Sequence, residues 1–280
     1  MFGFSMPLFF FISGFLLFYT KIRKNSNYLS IIKTRVPRIV YPYFFITFAV
    51  YLFKIVFSSY INRPVEFSLS FFINCFIYPE TNPWANLWFL NVVLIFFLCY
   101  PLLKLSLKNF YTILTTFIIC ILINIFIPKD ISFLDLSSVG QYLIFFYGGI
   151  LFSKYDLQKY MKKFIVILIS LSIFILSVIF EFPKIIFSFS GILVSIYFAN
   201  VCSNFIPNLF SSFRKYYYQI YLIGTFFQGI VLLLYETINI ENLFIPLSLL
   251  SILCGLYIPV LISKIIKRIN WKPLLNIFGF

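Results

Sequence analysis

The feature that most constrains this chain is its series of uninterrupted apolar runs, each roughly twenty residues long. A run of that length with few charges can cross a lipid bilayer as an α-helix. A membrane β-barrel would instead alternate apolar and polar residues in segments of about ten. With 62% hydrophobic and 11% charged residues, the 280-residue chain also carries more apolar surface than a soluble domain could bury. The sequence therefore predicts an all-α fold, a polytopic transmembrane helical bundle whose solvent is membrane lipid.

About nine runs qualify as membrane spans. Their approximate limits are residues 4–20, 39–58, 87–105, 110–127, 139–152, 164–182, 185–205, 216–235 and 243–263. The prolines and aromatic residues of 63–86 predict an outer segment that is partly re-entrant or lies in the interface, with Trp84 and Trp88 at headgroup depth. We see no internal repeat and no soluble domain, so residues 1–280 are predicted to form one integral-membrane domain.

Charge alternates strongly between the successive segments that connect these runs. One set of segments carries eighteen positive residues and one negative residue, whereas the other carries three positive and seven negative residues. The second set consists of Arg63, Glu66, Glu80, Lys129, Asp130, Asp135, Glu181, Lys184, Glu236 and Glu241. Because positively charged segments stay on the cytoplasmic side of a membrane, the first set is predicted to be cytoplasmic. The prediction is a multi-pass protein of the inner (plasma) membrane with a cytoplasmic C-terminus.

Residue types exclude several other classes of function. The net charge of +14 would suit nucleic acid, but the positive residues lie between apolar runs and form no single face, so no nucleic-acid partner is predicted. The five cysteines are scattered, mostly inside apolar runs, which predicts small buried side chains and no metal site. The chain has no histidine, and this excludes a Ser-His-Asp triad and a histidine-ligated metal within it.

Four short motifs stand out from the apolar background. The first reads MPLFFFISGF and contains Ser13 and Gly14, whose small side chains predict close helix packing. The second, Arg35-Val-Pro-Arg38, stands just ahead of the second predicted helix, with Pro37 in the first helical turn and both arginines on one side. The other two read LWFL at residues 87–90 and IYLI at residues 220–223.

These motifs, in this order, resemble the signature of the membrane acyltransferase 3 family, the many-pass O-acyltransferases of bacterial envelopes. The resemblance covers nearly the whole chain. It implies an enzyme that takes an acyl group, usually acetyl, from acetyl-CoA or another acyl-CoA on the cytoplasmic side. The acceptor implied is a sugar hydroxyl of a cell-envelope polysaccharide such as lipopolysaccharide. The resemblance implies no permanently bound cofactor.

Within this resemblance, Arg35 and Arg38 are the candidate donor-binding residues. Coenzyme A carries several phosphate charges, and the arginine side chain binds phosphate through two parallel hydrogen bonds. The alternative is that both arginines only set the topology, as the neighbouring lysines do. Trp88 is either an interface anchor or an aromatic surface on which a sugar stacks. Tyr221 is a candidate for lining the cavity.

The resemblance also predicts what this chain lacks. Family members are expected to have about ten helices, and the helix that precedes the MPLFFFISGF helix carries an essential histidine that acts as general base. A count of nine spans and the absence of histidine lead us to expect that this first helix is missing, through a misassigned start or a natural truncation. Many relatives have a further histidine where this chain has Gly224. No catalytic residue is therefore assigned.

Two other interpretations stay open at this point. A flippase or polymerase of a polysaccharide locus would also be aromatic and many-pass, but it would place charged residues at membrane depth along a sugar path. Only Lys54 comes near such a position. The other interpretation is an inactive remnant of an acyltransferase, because acyl transfer to a hydroxyl needs a base.

Overall fold

The computed structural model describes residues 3–58, 67–128, 130–208, 211–238 and 244–280, and these are helical with no strand among them. The predicted all-α class is confirmed. In chain order the helices are α1 (Ser5–Leu17), α2 (Tyr28–Val56), α3 (Leu69–Ile77), α4 (Trp88–Leu98), α5 (Tyr100–Ser106), α6 (Phe110–Phe126), α7 (Leu136–Lys154), α8 (Phe164–Ile179), α9 (Lys184–Phe205), α10 (Ser211–Arg214), α11 (Tyr217–Ile238), α12 (Phe244–Ile269) and α13 (Lys272–Ile277). Four of the predicted charges, Arg63, Glu66, Lys129 and Glu241, lie outside the described residues.

Six helical segments of the described part are long and apolar enough to cross a membrane. They are Ser5–Ile22, Tyr28–Val56, Phe133–Lys154, Lys184–Phe205, Tyr217–Tyr235 and Phe244–Ile269. A seventh span results if α4 and α5, which are bent by 59° against each other, count as one. Helices α6 and α8 have 17 and 16 residues, so they are about 25 Å long against a hydrocarbon core of about 30 Å. The predicted count of nine spans is not confirmed.

The second predicted helix begins earlier than the sequence indicated. It starts at Tyr28 and not near residue 39, so Pro37 and both arginines lie inside α2 and not in or before its first turn. Pro37 suggested a helix start because an internal proline removes one backbone hydrogen bond. Packing of the first two turns overrides this cost: Ile31 is completely buried, and the Tyr28 hydroxyl donates to the carbonyl of Leu98 at 3.1 Å.

The chain divides into two compact units, and each is made of two stretches of sequence. The first unit contains Met1–Lys33 and Asn91–Leu209, and its centre is the contact between α1 and α7. A Cβ atom on Gly14 would lie 2.0 Å from the carbonyl oxygen of Phe146, and one on Gly149 would lie 2.0 Å from the carbonyl oxygen of Phe11. Only glycine allows backbones to approach so closely, so the two helices meet through one glycine on each.

The positively charged connections of the first unit meet at one end. The Lys104 ammonium donates to the side-chain oxygen of Asn25 at 2.5 Å, and the Lys154 ammonium donates to the carbonyl of Leu107 at 2.6 Å. The connections after α1, α5 and α7 therefore lie together. This agrees with the alternation of charge along the sequence, which assigned all three to the same side of a membrane.

The second unit contains Thr34–Leu90 and Phe210–Phe280. Its largest helix pair is α11 with α12, where a Cβ on Gly224 would lie 2.6 Å from the carbonyl oxygen of Gly255. Along α2, the aromatic rings of Tyr43, Phe44, Phe48 and Tyr51 contact those of Phe71, Phe72 and Phe76 on α3. Helix α3 is therefore held against α2 over most of its length.

We predict that Gly14→Ala lowers the stability of the protein in detergent by about 1–3 kcal/mol, because the new methyl group forces the two helix backbones apart. Gly229→Ala is the matched control, since no atom lies within 4 Å of the position of its Cβ. The control should be neutral or stabilising by up to about 1 kcal/mol, because alanine favours the helix. Thermal unfolding of both variants measures the difference. Equal unfolding temperatures for Gly14→Ala and the parent chain would show that the contact is not as tight as described.

Candidate functional site

The two candidate arginines lie one helical turn apart in the second unit. Arg35 is half-buried and Arg38 is exposed, and Arg35 is close enough to Arg38 and Tyr217 to interact with both electrostatically. The backbone of Arg38 is fixed by α11, because the hydroxyl of Tyr218 donates to the Arg38 carbonyl at 2.8 Å. The first turn of α11 thus fixes the backbone of the helix segment that carries both arginines.

Other positive residues of the second unit lie at the same end. Arg214 and Lys215 directly precede α11, and the ammonium of Lys267 on α12 lies 4.8 Å from the centre of the Tyr216 ring. We call this region the basic end, and its members are Arg35, Arg38, Arg214, Lys215, Lys267, Arg268 and Lys272. Three stretches that are far apart in the sequence therefore bring charge of one sign to one place. Such a surface attracts phosphate groups.

Residues Trp271–Phe280, which we call the strap, fold back onto the basic end. The chain reverses after α12 at Asn270, which has a φ of 52°, and Gly279, two residues after the end of α13, has a φ of 70°. The side-chain amide of Gln219, itself buried, donates to the carbonyl of Phe278 at 2.9 Å. A Cβ on Gly279 would lie 2.4 Å from the ring of Tyr218. The strap is thus attached to the same turn of α11 that contacts Arg38.

A second group of residues surrounds the segment between α3 and α4. The hydroxyl of Tyr51 contacts Ser68 near the far end of α2, and the hydroxyl of Tyr43, two turns nearer the arginines, donates to the carbonyl of Cys75 at 3.0 Å. Helix α3 therefore runs back along α2 in the direction of Arg38. This path agrees with the prediction that residues 63–86 are partly re-entrant, as far as these residues are described.

Asn82 anchors the irregular backbone that follows. It is 5% exposed, and its amide donates to the hydroxyl of Thr47, which is completely buried, at 2.8 Å. Its side-chain oxygen accepts from the backbone N–H of Trp84 at 2.8 Å. The carboxamide thus takes the place of helical hydrogen bonds where the helix is interrupted, and α2 supplies the partner.

Asn86, which follows in this segment, forms hydrogen bonds with α11. The hydroxyl of Tyr221 donates to the carbonyl of Asn86, and the amide of Asn86 donates to the hydroxyl of Thr225 at 3.0 Å. The ring of Trp84 lies 6.1 Å from that of Phe226, which is the middle residue of the span Tyr217–Tyr235. The Trp84 ring therefore packs against a helix. The prediction that it sits at headgroup depth stays a prediction.

The remaining predicted site residues are distributed as follows. Trp88 is half-buried and opens α4, and the neighbouring Phe89 ring lies 5.4 Å from that of Tyr221. Ser13 and Gly14 belong to the first unit. The hydroxyl of Ser13 donates to the carbonyl of Phe9 in its own helix at 2.8 Å, whereas Gly14 faces α7. The functional roles that we predicted for these residues stay predictions.

Comparison with known families gives the activity class of this arrangement. A family described as an acyltransferase domain matches residues 1–264, which include the four motifs and almost all of both units. The chain belongs to the acyltransferase 3 family. With several membrane-spanning helices, it is a multi-pass membrane acyltransferase. No curated protein and no solved structure matches it.

In this acyltransferase 3 chain the position of Gly224 is used for helix packing. A side chain at this position would collide with the carbonyl oxygen of Gly255 on α12. Among the described residues no three histidine, cysteine, aspartate or glutamate side chains come together to hold a metal ion. The basic end is the feature of the second unit on which we base a ligand site.

Sequence reasoning missed most of the site. It selected Arg35 and Arg38 through the family motif, but it passed over Asn82, Gln219 and the strap. Asn82 lies between Pro79 and Pro83 and looks like a turn residue. For Gln219 the available signal was a polar side chain within a mostly apolar segment, because a buried amide in a membrane protein needs a partner.

We predict that Asn82→Ala destabilises the second unit by about 1–3 kcal/mol, because it leaves the buried Thr47 hydroxyl and the Trp84 N–H without a partner. Cys75, which is fully buried beside this segment, should then react faster with a maleimide, as located by mass spectrometry. Asn276→Ala is the control, since Asn276 is exposed and its side chain makes no hydrogen bond in the described part of the chain. Unchanged labelling and unfolding in Asn82→Ala would show that the anchor is dispensable.

Proposed function

We propose that this chain transfers an acyl group, acetyl in the simplest case, from acyl-CoA to a sugar hydroxyl of a cell-envelope polysaccharide. The observation that carries the proposal is the basic end, where α2, the start of α11 and the end of α12 bring positive side chains together. The family supplies acyl transfer, and the basic end supplies a surface that suits the phosphate groups of coenzyme A.

The arrangement of Arg35 and Arg38 supports a role in donor binding beyond setting topology. Residues three apart on a helix share one side, so both guanidinium groups can approach one phosphate-rich ligand. The hydrogen bond from Tyr218 to the Arg38 carbonyl restrains this segment of α2 against α11. A residue that only determines membrane orientation would not need a fixed backbone, because the positive-inside effect depends on charge and not on geometry.

The proposed location of the protein follows from the compartment in which the acyl donor is available. We propose that the protein lies in the bacterial inner membrane with the basic end and the C-terminal strap in the cytoplasm, where coenzyme A thioesters are available. The polysaccharide acceptor would approach from the membrane or its outer side. Trp88, at the start of α4, is the side chain that we assign to stacking on the acceptor sugar, whereas the bond from Tyr221 to Asn86 makes Tyr221 a support of that segment.

The sequence contains no histidine, so we assign the removal of the hydroxyl proton to none of its residues. Donor binding and acyl transfer are therefore tested separately. Binding of radiolabelled acetyl-CoA to the purified protein in phosphatidylcholine nanodiscs tests the basic end, and transfer of label to envelope polysaccharide in membranes tests the reaction. Label in the polysaccharide supports the proposal. Binding without transfer, with the polysaccharide present, would overturn the proposed transfer by this chain and leave the donor site standing.

We predict that Arg35→Gln and Arg38→Gln each raise the Kd for acetyl-CoA about tenfold, since each removes a charge-assisted contact with phosphate. Lys33→Gln is the control, because Lys33 is an exposed positive residue at the start of the same helix, two residues before Arg35. It should change the Kd less than about twofold, as expected for an exposed charge. Equal effects of all three substitutions would indicate a general charge effect and remove the arginine pair from the donor site.

A further inference from the structure

Lys267 has a fixed position that its sequence context does not explain. It lies near the C-terminal end of α12, where a lysine usually extends into solvent and interacts with the helix dipole. Here its ammonium lies 4.8 Å from the centre of the Tyr216 ring and 4.3 Å from the centre of the Phe280 ring. The two rings are themselves in edge contact, 6.5 Å apart. One positive charge is thus held between two aromatic side chains from different parts of the chain.

The position of Phe280 depends on the strap. Gln219 binds the carbonyl of Phe278, and the backbone of Gly279 passes against the ring of Tyr218. The positive φ of Gly279 turns the chain so that Phe280 can reach Lys267. Three consecutive residues of the strap, 278–280, therefore contact Gln219, Tyr218 and Tyr216 at the start of α11. This attachment orients the ring that holds the lysine.

Aromatic rings orient an ammonium group without neutralising it. A cation over a ring is attracted by the electron density of the ring face, but the charge and the N–H donors on the other side stay available for an anion. No carboxylate among the described residues forms an ion pair with Lys267. The arginine pair lies nearby, since the backbone of Gly279, adjacent to Phe280, also approaches the Arg38 carbonyl.

We propose that Lys267 is a third phosphate ligand of the donor site, and that Tyr216 and Phe280 act as positioning residues for it. This inference rests on the proposed function, because it assigns Lys267 to the same acyl-CoA that Arg35 and Arg38 bind. It extends that site to α12 and the strap. The lysine ammonium acts as a point charge, whereas each arginine binds phosphate through two parallel hydrogen bonds. The two kinds of side chain together suit a ligand with several phosphate groups.

A phosphate group could also come from a lipid headgroup, since positive residues at the cytoplasmic face attract anionic lipids. The affinity for acetyl-CoA is therefore measured in nanodiscs of phosphatidylcholine alone and in nanodiscs that contain phosphatidylglycerol. If Lys267 binds the acyl donor, its substitution lowers the affinity for acetyl-CoA equally in both kinds of nanodisc. A loss that appears only with phosphatidylglycerol would assign Lys267 to the lipid and overturn the proposal.

The decisive comparison is Lys267→Gln with Lys264→Gln. Lys264 is an exposed lysine one turn earlier on α12 without the two rings. We expect Lys267→Gln to raise the Kd for acetyl-CoA about tenfold and Lys264→Gln to change it less than about twofold. Lys267→Arg should restore most of the affinity, because it keeps the charge and stacks on the same rings. Equal Kd values for Lys267→Gln and Lys264→Gln would overturn the assignment.

The positioning role of Phe280 is tested by a double-mutant cycle. Phe280→Ala should raise the Kd about threefold in the parent chain and have no further effect in Lys267→Gln, because the ring acts through the lysine. If the effects of Phe280→Ala and Lys267→Gln on the binding free energy are additive, the ring does not act through the lysine. Thermal unfolding of each variant confirms that it is folded. If the arginine variants weaken binding but Lys267→Gln does not, this inference fails while the proposed donor site stands; if the arginine variants have no effect, the proposed donor site fails first.

Discussion

In hydrocarbon, a backbone N–H or C=O group without a partner costs several kcal/mol, so every polar backbone group must be satisfied inside the protein. This constraint accounts for the helices and for the way the second unit covers an irregular stretch of backbone between two of them. Between α3 and α4 the backbone is irregular, and Asn82 supplies the missing hydrogen bonds together with Thr47 on α2. Tyr221 and Thr225 on α11 do the same for the stretch around Asn86. An interruption of this kind is possible only where neighbouring helices cover it.

Once the backbone is satisfied, close packing decides which helices meet. Lipid is as apolar as the side chains, so the hydrophobic effect gives little preference for one partner helix over another. In this chain glycine residues decide which helices pack against each other. Gly14 and Gly149 bring α1 and α7 into backbone contact in the first unit, and Gly224 does so for α11 and α12 in the second. Gly224 is therefore a structural residue in this chain.

Positive charge is concentrated by this packing. Each unit gathers its basic connections at one end, as Lys104 and Asn25 show in the first and Tyr218 and Arg38 in the second. In the second unit this concentration coincides with a fixed backbone and with the strap that holds Lys267 between two rings. A family of membrane acyltransferases and a basic, ordered end together support a site for a phosphate-rich acyl donor.

The sequence by itself determined the all-α class, the approximate place of most of the long apolar helices, the grouping of the basic connections and the family. These follow from hydropathy, from the alternation of charge and from short motifs, which act locally or depend only on composition. Tertiary structure decided where α2 begins, because packing of Tyr28 and Ile31 outweighs the signal of Pro37. It also decided the packing of Trp84 against α11 and the arrangement of the strap. These depend on contacts between residues far apart in the chain, and no local pattern specifies which helix will receive a given side chain.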